Sequence, residues 1–539
     1  MTYSLPRVTL YLSLAALIYT LTRTLLTTIY HRRRARALGC LPAYQFYENG
    51  IFGINNFLLP VKADREMRLP DFISESFHEA SKRAGRWVGL WEFNILGQKG
   101  FHTIEPAVVK AVLGTQFEDF GLGSARCGSF KGLLGDGIFS SDGKQWQHSR
   151  ALLRPQFARA QVADLDLEEK HLQHLLRAIP IESTGWTNAI DIAPLFFRLT
   201  LDSASEFLFG ESTDSQLAAL PSYPRPKTAA LAESDFASAF DEAQRLLTLS
   251  SYAGDLYWLL QGPAFRKACA QCHTFIDHYV HKALTETPPD APEQQRPDER
   301  YIFLRALVRD TRDPLELRHQ LLSILLAGRD TTGGLLSWVF YLLVQHPDVF
   351  QKLRAEVLAH FGTYAAPRNI TFAGLKGCGY LQHVLAETLR LHPSVPMNGR
   401  RCLRSTTIPT GGGPDGNAPV YVREGQEIIY TVYAMHRRVD LWGADANEFR
   451  PERWEGRKSG WEYLPFNGGP RICLGQQFAL TEAGFVVVRL LQRFEGLEGV
   501  GVPKAGERVK HAVTLTSRPG EDVTVRFKVS SEKERDHDE

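Results

Sequence analysis

One cysteine in this 539-residue chain stands where it could bind a metal. Phe466-Asn467-Gly468-Gly469-Pro470-Arg471-Ile472-Cys473-Leu474-Gly475 surrounds it with glycines, an arginine two residues before and a glycine two after. Glycine adopts backbone conformations closed to other residues, so such a loop can bring a sulfur close to a flat ring. Backbone N–H groups in the loop can point at the sulfur and stabilise the negative charge that a low-pKa thiolate carries. A thiolate axial ligand pushes electron density onto haem iron and favours O–O cleavage. Taken alone, the run also reads as an ordinary glycine-rich turn around a buried cysteine.

Other reactive residues lie upstream. Ala327-Gly328-Arg329-Asp330-Thr331-Thr332 sits in the middle of an apolar-periodic stretch, Leu315 to Gln345, preceded by Pro314 and ended by His346-Pro347. At 1.5 Å per residue that helix runs roughly 45 Å, the span of a domain. Small residues at its centre let a flat cofactor and dioxygen approach the backbone. A threonine hydroxyl that bonds back into the helix can open a bulge for water. Asp330 and Thr331 then supply an acid and an alcohol for proton delivery. Glu387-Thr388-Leu389-Arg390 places opposite charges three apart on one helix face, and Phe449-Arg450-Pro451-Glu452-Arg453-Trp454 offers a further arginine.

These runs, in this order, resemble the haem-thiolate monooxygenases, the cytochrome P-450 superfamily. The resemblance implies that Cys473 is the axial ligand of haem b, in a loop shaped by Phe466, Gly469, Arg471 and Gly475. It makes Asp330 and Thr331 the acid–alcohol pair, and Glu387, Arg390 and Arg453 a buried network bracing the loop, since buried charges need mutual satisfaction. Haem carries two propionates, which arginine binds through bidentate bonds; Trp146, Arg150, Arg400 and Arg471 match family positions for that task, while His436-Arg437 reads as structural. The fold implied is mainly α with a small β portion, the cytochrome P-450 fold.

Gly135-Asp136-Gly137-Ile138-Phe139 through Leu153-Arg154-Pro155-Gln156-Phe157, Leu201-Asp202-Ser203 through Phe209-Gly210-Glu211, and Tyr301-Ile302-Phe303-Leu304 resemble the fungal alkane and fatty-acid ω-hydroxylase branch. Similarity covers most of Gly121 to Arg518. The branch implies hydroxylation of an n-alkane or fatty-acid chain at or near its end, using O₂ and electrons from an NADPH-cytochrome P-450 reductase, with cytochrome b5 as an accessory donor. No flavin or nicotinamide module is visible, so the donor is a separate protein, expected to dock on a basic face near the cysteine loop. Apolar substrate contacts are expected from Phe117, Phe120, Phe130, Leu134, Leu325, Leu326, Val395 to Met397 and Leu515; each buried CH₂ contributes roughly 0.8 kcal/mol. Gly333 and Gly334 either widen the pocket or permit close helix packing. The rival readings are a hydroxylase or epoxidase of a fungal secondary-metabolite pathway, and a haem-thiolate isomerase or dehydratase, against which the Asp330-Thr331 pair argues.

Cys269-Ala270-Gln271-Cys272-His273 matches the CxxCH pattern of covalent c-type haem attachment, which would make an electron carrier. The surrounding Phe265 to Leu284 reads as an amphipathic helix with both cysteines on its buried side, the expected explanation.

The elements that must position these groups follow from the rest of the chain. A net charge of +2 with 23% charged residues is that of a near-neutral globular protein, with nothing to suggest nucleic acid. Seven cysteines spread along the chain are no disulfide framework and fit a reduced, cytosol-facing body. Val8 to Thr22 carries no charge, and with Arg23 snorkelling the apolar stretch reaches Tyr30, about the 20 residues that span a bilayer. His31, Arg32, Arg33, Arg34 and Arg36 follow and only Arg7 precedes, so the positive-inside rule leaves the body in the cytosol, in the endoplasmic reticulum membrane that the branch implies. Residues 1–36 are expected as a membrane anchor, 37–60 as a hinge, 61–530 as one catalytic domain and 531–539 as a charged tail. Strands are expected at Val88 to Ile95, Val420 to Val422, Glu427 to Val432 and Val523 to Val529, and loops at Ser212 to Lys227 and Thr285 to Arg300, where prolines forbid helix.

Overall fold

The computed structural model describes residues 5–46, 53–158, 164–221, 223, 233–288 and 301–531. The longer helices, in chain order, are α1 (Leu5–Ala37), α2 (Ile54–Arg65), α3 (Leu69–Ala84), α4 (Gly123–Leu134), α5 (Gly143–Leu153), α6 (Leu165–Arg177), α7 (Ala193–Phe209), α8 (Glu233–Tyr252), α9 (Pro263–Glu286), α10 (Phe303–Asp310), α11 (Pro314–Gln345), α12 (Pro347–Phe361), α13 (Gly379–Leu391) and α14 (Gln476–Arg493).

The periodic stretch around Asp330 forms α11, the element on which the others are arranged. Asp313 caps it by accepting a hydrogen bond from the Leu315 amide, Pro314 occupies its first turn, and it stops at His346 before Pro347. It is apolar nearly all round, as befits a helix in the middle of a protein. Its two halves belong to different cores. Leu317, Leu321, Leu322, Leu325 and Leu326 pack with α4, α8, α9 and α10, whereas Leu335 to Leu343 pack with α7, α12, α13 and α14. The residues between them, 327–334, belong to neither cluster.

Gly333 and Gly334 serve close packing and not the pocket. Both are buried; a Cβ on Gly333 would lie 3.1 Å from Phe197 and from Thr200 of α7, and one on Gly334 would lie 2.9 Å from the Ser517 carbonyl. The helix therefore touches backbone on one side and α7 on the other.

The β portion is larger than the sequence suggests. In chain order the strands are β1 (Tyr44–Gln45), β2 (Leu90–Ile95), β3 (Gln98–Thr103), β4 (Phe120–Gly121), β5 (Ile190–Asp191), β6 (Met397–Cys402), β7 (Thr406–Gly412), β8 (Ala418–Val422), β9 (Glu427–Thr431), β10 (Phe494–Gly499), β11 (His511–Val513), β12 (Ser517–Pro519) and β13 (Thr524–Val529). The main sheet has the order β1-β2-β3-β9-β6-β4, with β3 parallel to β9 and β9 antiparallel to β6. The four expected strands are present within two residues at each end. Of the nine described strands not expected from the sequence, five have only two or three residues, and the longer four, β3, β6, β7 and β10, are each interrupted by glycine or charge, so hydrophobic alternation never develops. The expected loop at 212–227 contains a short helix, Ser215–Ala218, whose first amides at Ser215 and Gln216 donate to the buried Asp202 carboxylate. In the expected loop 285–300, Thr285 and Glu286 complete α9, and residues 289–300 lie outside the described residues, as do 222 and 224–227 of the first loop, 47–52 of the expected hinge and 532–539 of the tail.

α1 is long and apolar enough, by length and composition, to cross a membrane: the stretch Thr9–Ala37 holds a window of mean hydropathy 1.4, none of it buried, and touches the body at His31, 3.2 Å from the Tyr421 hydroxyl of β8. Beyond Gly39, in the left-handed region at φ 68°, the chain enters the sheet directly. The Leu41 amide donates to Pro419 O, the Gly413 amide to Pro42 O, and Tyr44 pairs with Trp91.

Gly334→Ala forces the Ser517 backbone away from α11. Overpacking of this kind costs about 1–3 kcal/mol, so the variant is expected to melt at a lower temperature than the parent protein; an unchanged melting temperature would show that β12 moves freely.

Candidate functional site: a cysteine loop and the central helix

Cys473 lies three residues before Gln476, the first residue of α14, and the amide of Gly475, the cap of that helix, hydrogen-bonds its sulfur. Its own amide donates to the Phe466 carbonyl at 3.0 Å and closes the loop. The residue has accessible surface, yet burial is the main influence on its thiol and raises its pKa. The Gly475 amide and the Arg150 cation pull the other way. An accessible thiol in buried surroundings opens onto an internal space. The glycines fit this geometry: Gly469 has φ +68°, and a Cβ there would lie 1.8 Å from the Leu113 carbonyl oxygen. Asn467 is also in the left-handed region and accepts from the Tyr430 hydroxyl at 3.0 Å. Phe466 is half-buried against the core of α13 and α14. Gly475 has room for a methyl group, with Phe157 at 3.7 Å.

The central helix faces an internal space too. Between Gln320 and Leu343 the residues that are not buried are Ile324, Ala327, Gly328 and Thr331, spaced as one helix face. The Thr331 hydroxyl donates to the Ala327 carbonyl at 2.6 Å, the bond back into the helix that the sequence suggests, although α11 continues unbroken through it. Asp330 is buried; burial raises its carboxyl pKa, while Arg329 lowers it. β6 connects the two regions. Just before it, Ser394 donates to the Thr331 carbonyl at 3.2 Å, and along it Arg400 comes beside Arg471 of the cysteine loop.

Three guanidinium groups converge there. Burial, and then the neighbouring Arg400 cation, push Arg126 of α4 down to about 10; Arg471 falls to about 10 from burial, with Arg400 and Arg126 adding to the effect after partial offset by Asp142. Their fixed partners are few. Arg126 donates to Asn398 at 2.6 Å, Arg400 to the Gly399 carbonyl at 2.8 Å, and Arg471 to Asp142 at 2.6 Å. The Nε atoms of all three are buried without a hydrogen-bond partner. Trp146 lies under this group, with the Arg471 guanidinium 4.3 Å and that of Arg150 5.8 Å from its ring. Arg150 donates to the Ile472 carbonyl, so it holds the loop from outside. Arg126 carries no periodic or motif signal in the sequence; only its approach to Asn398 of β6 brings it into the group.

The expected charge network is present. Glu387 and Arg390 are fully buried and joined by two parallel bonds of 2.8 Å. Arg453 and the Trp454 indole donate to the same carboxylate at 3.1 and 3.0 Å. Arg390 also donates to the carbonyls of His436 and Ala446 at 2.8 and 2.6 Å and of Glu448 at 3.1 Å. His436, neutral because burial pushes it down to about 3, relays the brace: its Nδ1–H faces the Arg390 carbonyl and its Nε2 accepts from the Leu464 amide, two residues before Phe466.

Among the expected substrate contacts, Phe117, Val395, Met397 and Leu515 retain accessible surface, while Phe120, Phe130, Leu134, Leu325 and Leu326 are packed in the cores. Ile324, not Leu325 or Leu326, is the apolar side chain on the open face of α11. Cys269 and Cys272 are buried in α9, where burial pushes both thiols up to about 12, and His273 contacts the Leu133 carbonyl. They belong to the core.

A thiol on a glycine loop, a facing helix with an acid and an alcohol, and a group of cations with spare donors define a haem-thiolate protein. The cytochrome P450 family model matches residues 65–521, and the chain belongs to that family. It falls in a fungal branch: it is 47% identical over 476 residues to cytochrome P450 monooxygenase g430 of Fusarium sp, covering 87% of this chain and 82% of that protein. It is 46% identical over 468 residues to cytochrome P450 52A12 of Debaryomyces hansenii, covering 86% and 88%. The crystal structure of the cytochrome P450DA heme domain superposes with a TM-score of 0.69 at 21% identity, over 91% of this chain and 97% of that one, and shares the fold. The protein is therefore a monooxygenase that carries haem on a cysteine thiolate and takes electrons from a redox partner. The spare donors of Arg126, Arg400 and Arg471 and the accessible Cys473 thiol fit that group.

Arg390→Leu leaves Glu387 without its bidentate partner. Breaking a buried ion pair costs about 3–5 kcal/mol, so the variant is expected to yield little haem-loaded protein and to melt earlier; wild-type stability and haem content would contradict the brace.

Proposed function

We propose that this protein hydroxylates a long alkyl substrate, an n-alkane or fatty acid, at or near the chain end. The observation that carries the reading is the open face of α11, Ile324, Ala327, Gly328 and Thr331, in a protein whose Cys473 thiol opens inward. Small residues there leave room for a flat cofactor against the helix, and apolar Ile324, Phe117, Val395, Met397 and Leu515 suit a hydrocarbon.

In this reading Cys473 is the thiolate ligand, and the Gly475 amide and the start of α14 stabilise its charge. Arg126, Arg400 and Arg471, with Trp146 beneath them, hold the propionates, and Arg150 steadies the loop. The haem, when bound, would supply the activation of dioxygen and the insertion of one of its oxygen atoms into a C–H bond, the other leaving as water with two electrons from the redox partner and two protons. Asp330 donates a proton and the Thr331 hydroxyl passes it on, while the leucines on either side of 327–334 exclude bulk water. Glu387, Arg390 and Arg453 assemble the loop and take no part in the chemistry. Similarity to the 52A relative supports the branch-level substrate class.

Electrons come from an NADPH-cytochrome P-450 reductase, with cytochrome b5 as a second donor. Docking on the side of the cysteine loop is favoured by the exposed Lys144 and Arg154 of the α5 segment. It is also favoured by a cleft of about 440 Å³ beneath the loop, lined by Trp461, Phe466, Gly468 and Ile472. α1 anchors the protein in the endoplasmic reticulum membrane, and its arginine-rich end keeps residues 61–530 in the cytosol as one catalytic domain.

Microsomes carrying the protein and reductase are expected to convert lauric or palmitic acid or an n-alkane to the terminal or near-terminal alcohol with NADPH. Consumption of a polyketide-like lipid with these untouched would favour the secondary-metabolite reading. Cys473→Ala is expected to abolish the thiolate-type absorption of the reduced, carbon monoxide-treated protein. Deleting residues 1–36 is expected to release the protein from membranes washed in alkaline carbonate; retention would locate the attachment elsewhere.

A further inference from the structure

Arg329 is the charged residue beside Asp330 on which the reading above places no task. Its side chain is only 8% exposed. Nη1 lies 2.5 Å from Asp241 Oδ1 and Nη2 3.4 Å from Asp241 Oδ2, so the two-pronged end of the fork is directed at Asp241 of α8. Asp330 Oδ1 is only at the edge of that fork, 3.4 Å from Nη1. Asp241 is 61% exposed at the surface. One turn further along α8, the buried Gln244 hydrogen-bonds Asp330. Two side chains of one helix thus hold the two neighbouring residues of another, Asp241 taking Arg329 and Gln244 taking Asp330.

A guanidinium presents a planar fork that matches a carboxylate bidentately, and such charge-assisted pairs are strong. Closed on Asp330 inside the protein, it would fix that residue as an anion with no proton to give. We propose that Arg329 is a positioning residue, and that Asp241 of α8 keeps its guanidinium off Asp330 so that Asp330 can take up and release a proton. This rests on the reading of Asp330 as the proton donor.

The groups facing Asp330 are Arg329 on its own helix, Asp241 and Gln244 on α8, and Arg518 on β12. Burial raises its pKa most; Arg329, Gln244 and Arg518 lower it, Asp241 raises it, and the outcome is upward. A proton donor acts while it is protonated, so coupling (product formed per NADPH consumed) falls as pH rises through the Asp330 pKa. Asp241→Asn lets the fork close on Asp330 and moves that fall to lower pH. Arg329→Gln removes the cation and moves it to higher pH. Shifts of about one pH unit are expected, the low end of what one adjacent cation does to a carboxyl group. In the double variant no guanidinium is left to release, so Asp241→Asn removes only its direct repulsion of the Asp330 anion and moves the fall less than the same substitution does in the parent protein; an equal shift in both backgrounds would overturn the proposal.

The test uses the full-length, haem-loaded protein in membranes with its reductase. A second readout needs no turnover: infrared titration of the carboxyl band that disappears in Asp330→Asn is expected to show the same opposite shifts. Shifts in the same direction, or lower coupling with an unmoved profile, would overturn the proposal. Asp241 is exposed, so Asp241→Asn decides the matter even where Arg329→Gln loses haem. If Asp330→Asn itself leaves coupling and profile unchanged, the reading of Asp330 as donor is what fails.

Discussion

A carboxylate and a guanidinium with no access to water, Glu387 and Arg390, hold the rest of the site in place. Neither is tolerable alone in a protein interior, because each would leave a buried charge uncompensated. Their remaining hydrogen-bonding capacity is spent on chain far away in sequence: the carbonyls of His436, Ala446 and Glu448 on one side, Arg450, Arg453 and Trp454 on the other. These 436–454 contacts fix where the segment leading to Phe466 and Cys473 starts. His436 then passes the restraint to Leu464. The pair sits in α13, whose other face lies in the same core as α11, so the cysteine loop is referenced to the central helix through packed structure.

α11 supplies the opposing wall by a gap in its packing. Two clusters of leucines grip its ends and leave 327–334 between them. The cofactor space is therefore a consequence of core construction: small residues where the helix must be approached, glycines where it meets β12 and α7, and large apolar residues elsewhere. The one cation in this gap, Arg329, is paired with Asp241 of α8, so a second helix contributes to the electrostatics around Asp330.

The group of arginines shows the opposite balance. Three cations brought together with little to neutralise them are unfavourable unless an anion joins them, and the two propionates of haem are such an anion. β6 shows no alternation in Met397-Asn398-Gly399-Arg400-Arg401-Cys402: Met397 and Cys402 at its ends meet the core, Asn398 accepts from Arg126 and Arg400, and Gly399 lies against Glu427.

The amino-acid sequence by itself determined the chemistry and its order along the chain. The cysteine loop, the long helix carrying Asp330 and Thr331, the paired Glu387 and Arg390, and an N-terminal helix long enough for a membrane were all legible, because each is a local pattern of residue types within one element. Tertiary structure decided which residues meet. Arg126 joined the arginines through Asn398, Ile324 replaced its leucine neighbours on the open helix face, Gly333 and Gly334 proved to be packing contacts, and Asp241 reached Arg329 from 88 residues away. Such contacts depend on the rotation of one element against another, which the packing of the whole core sets and no short stretch of sequence records.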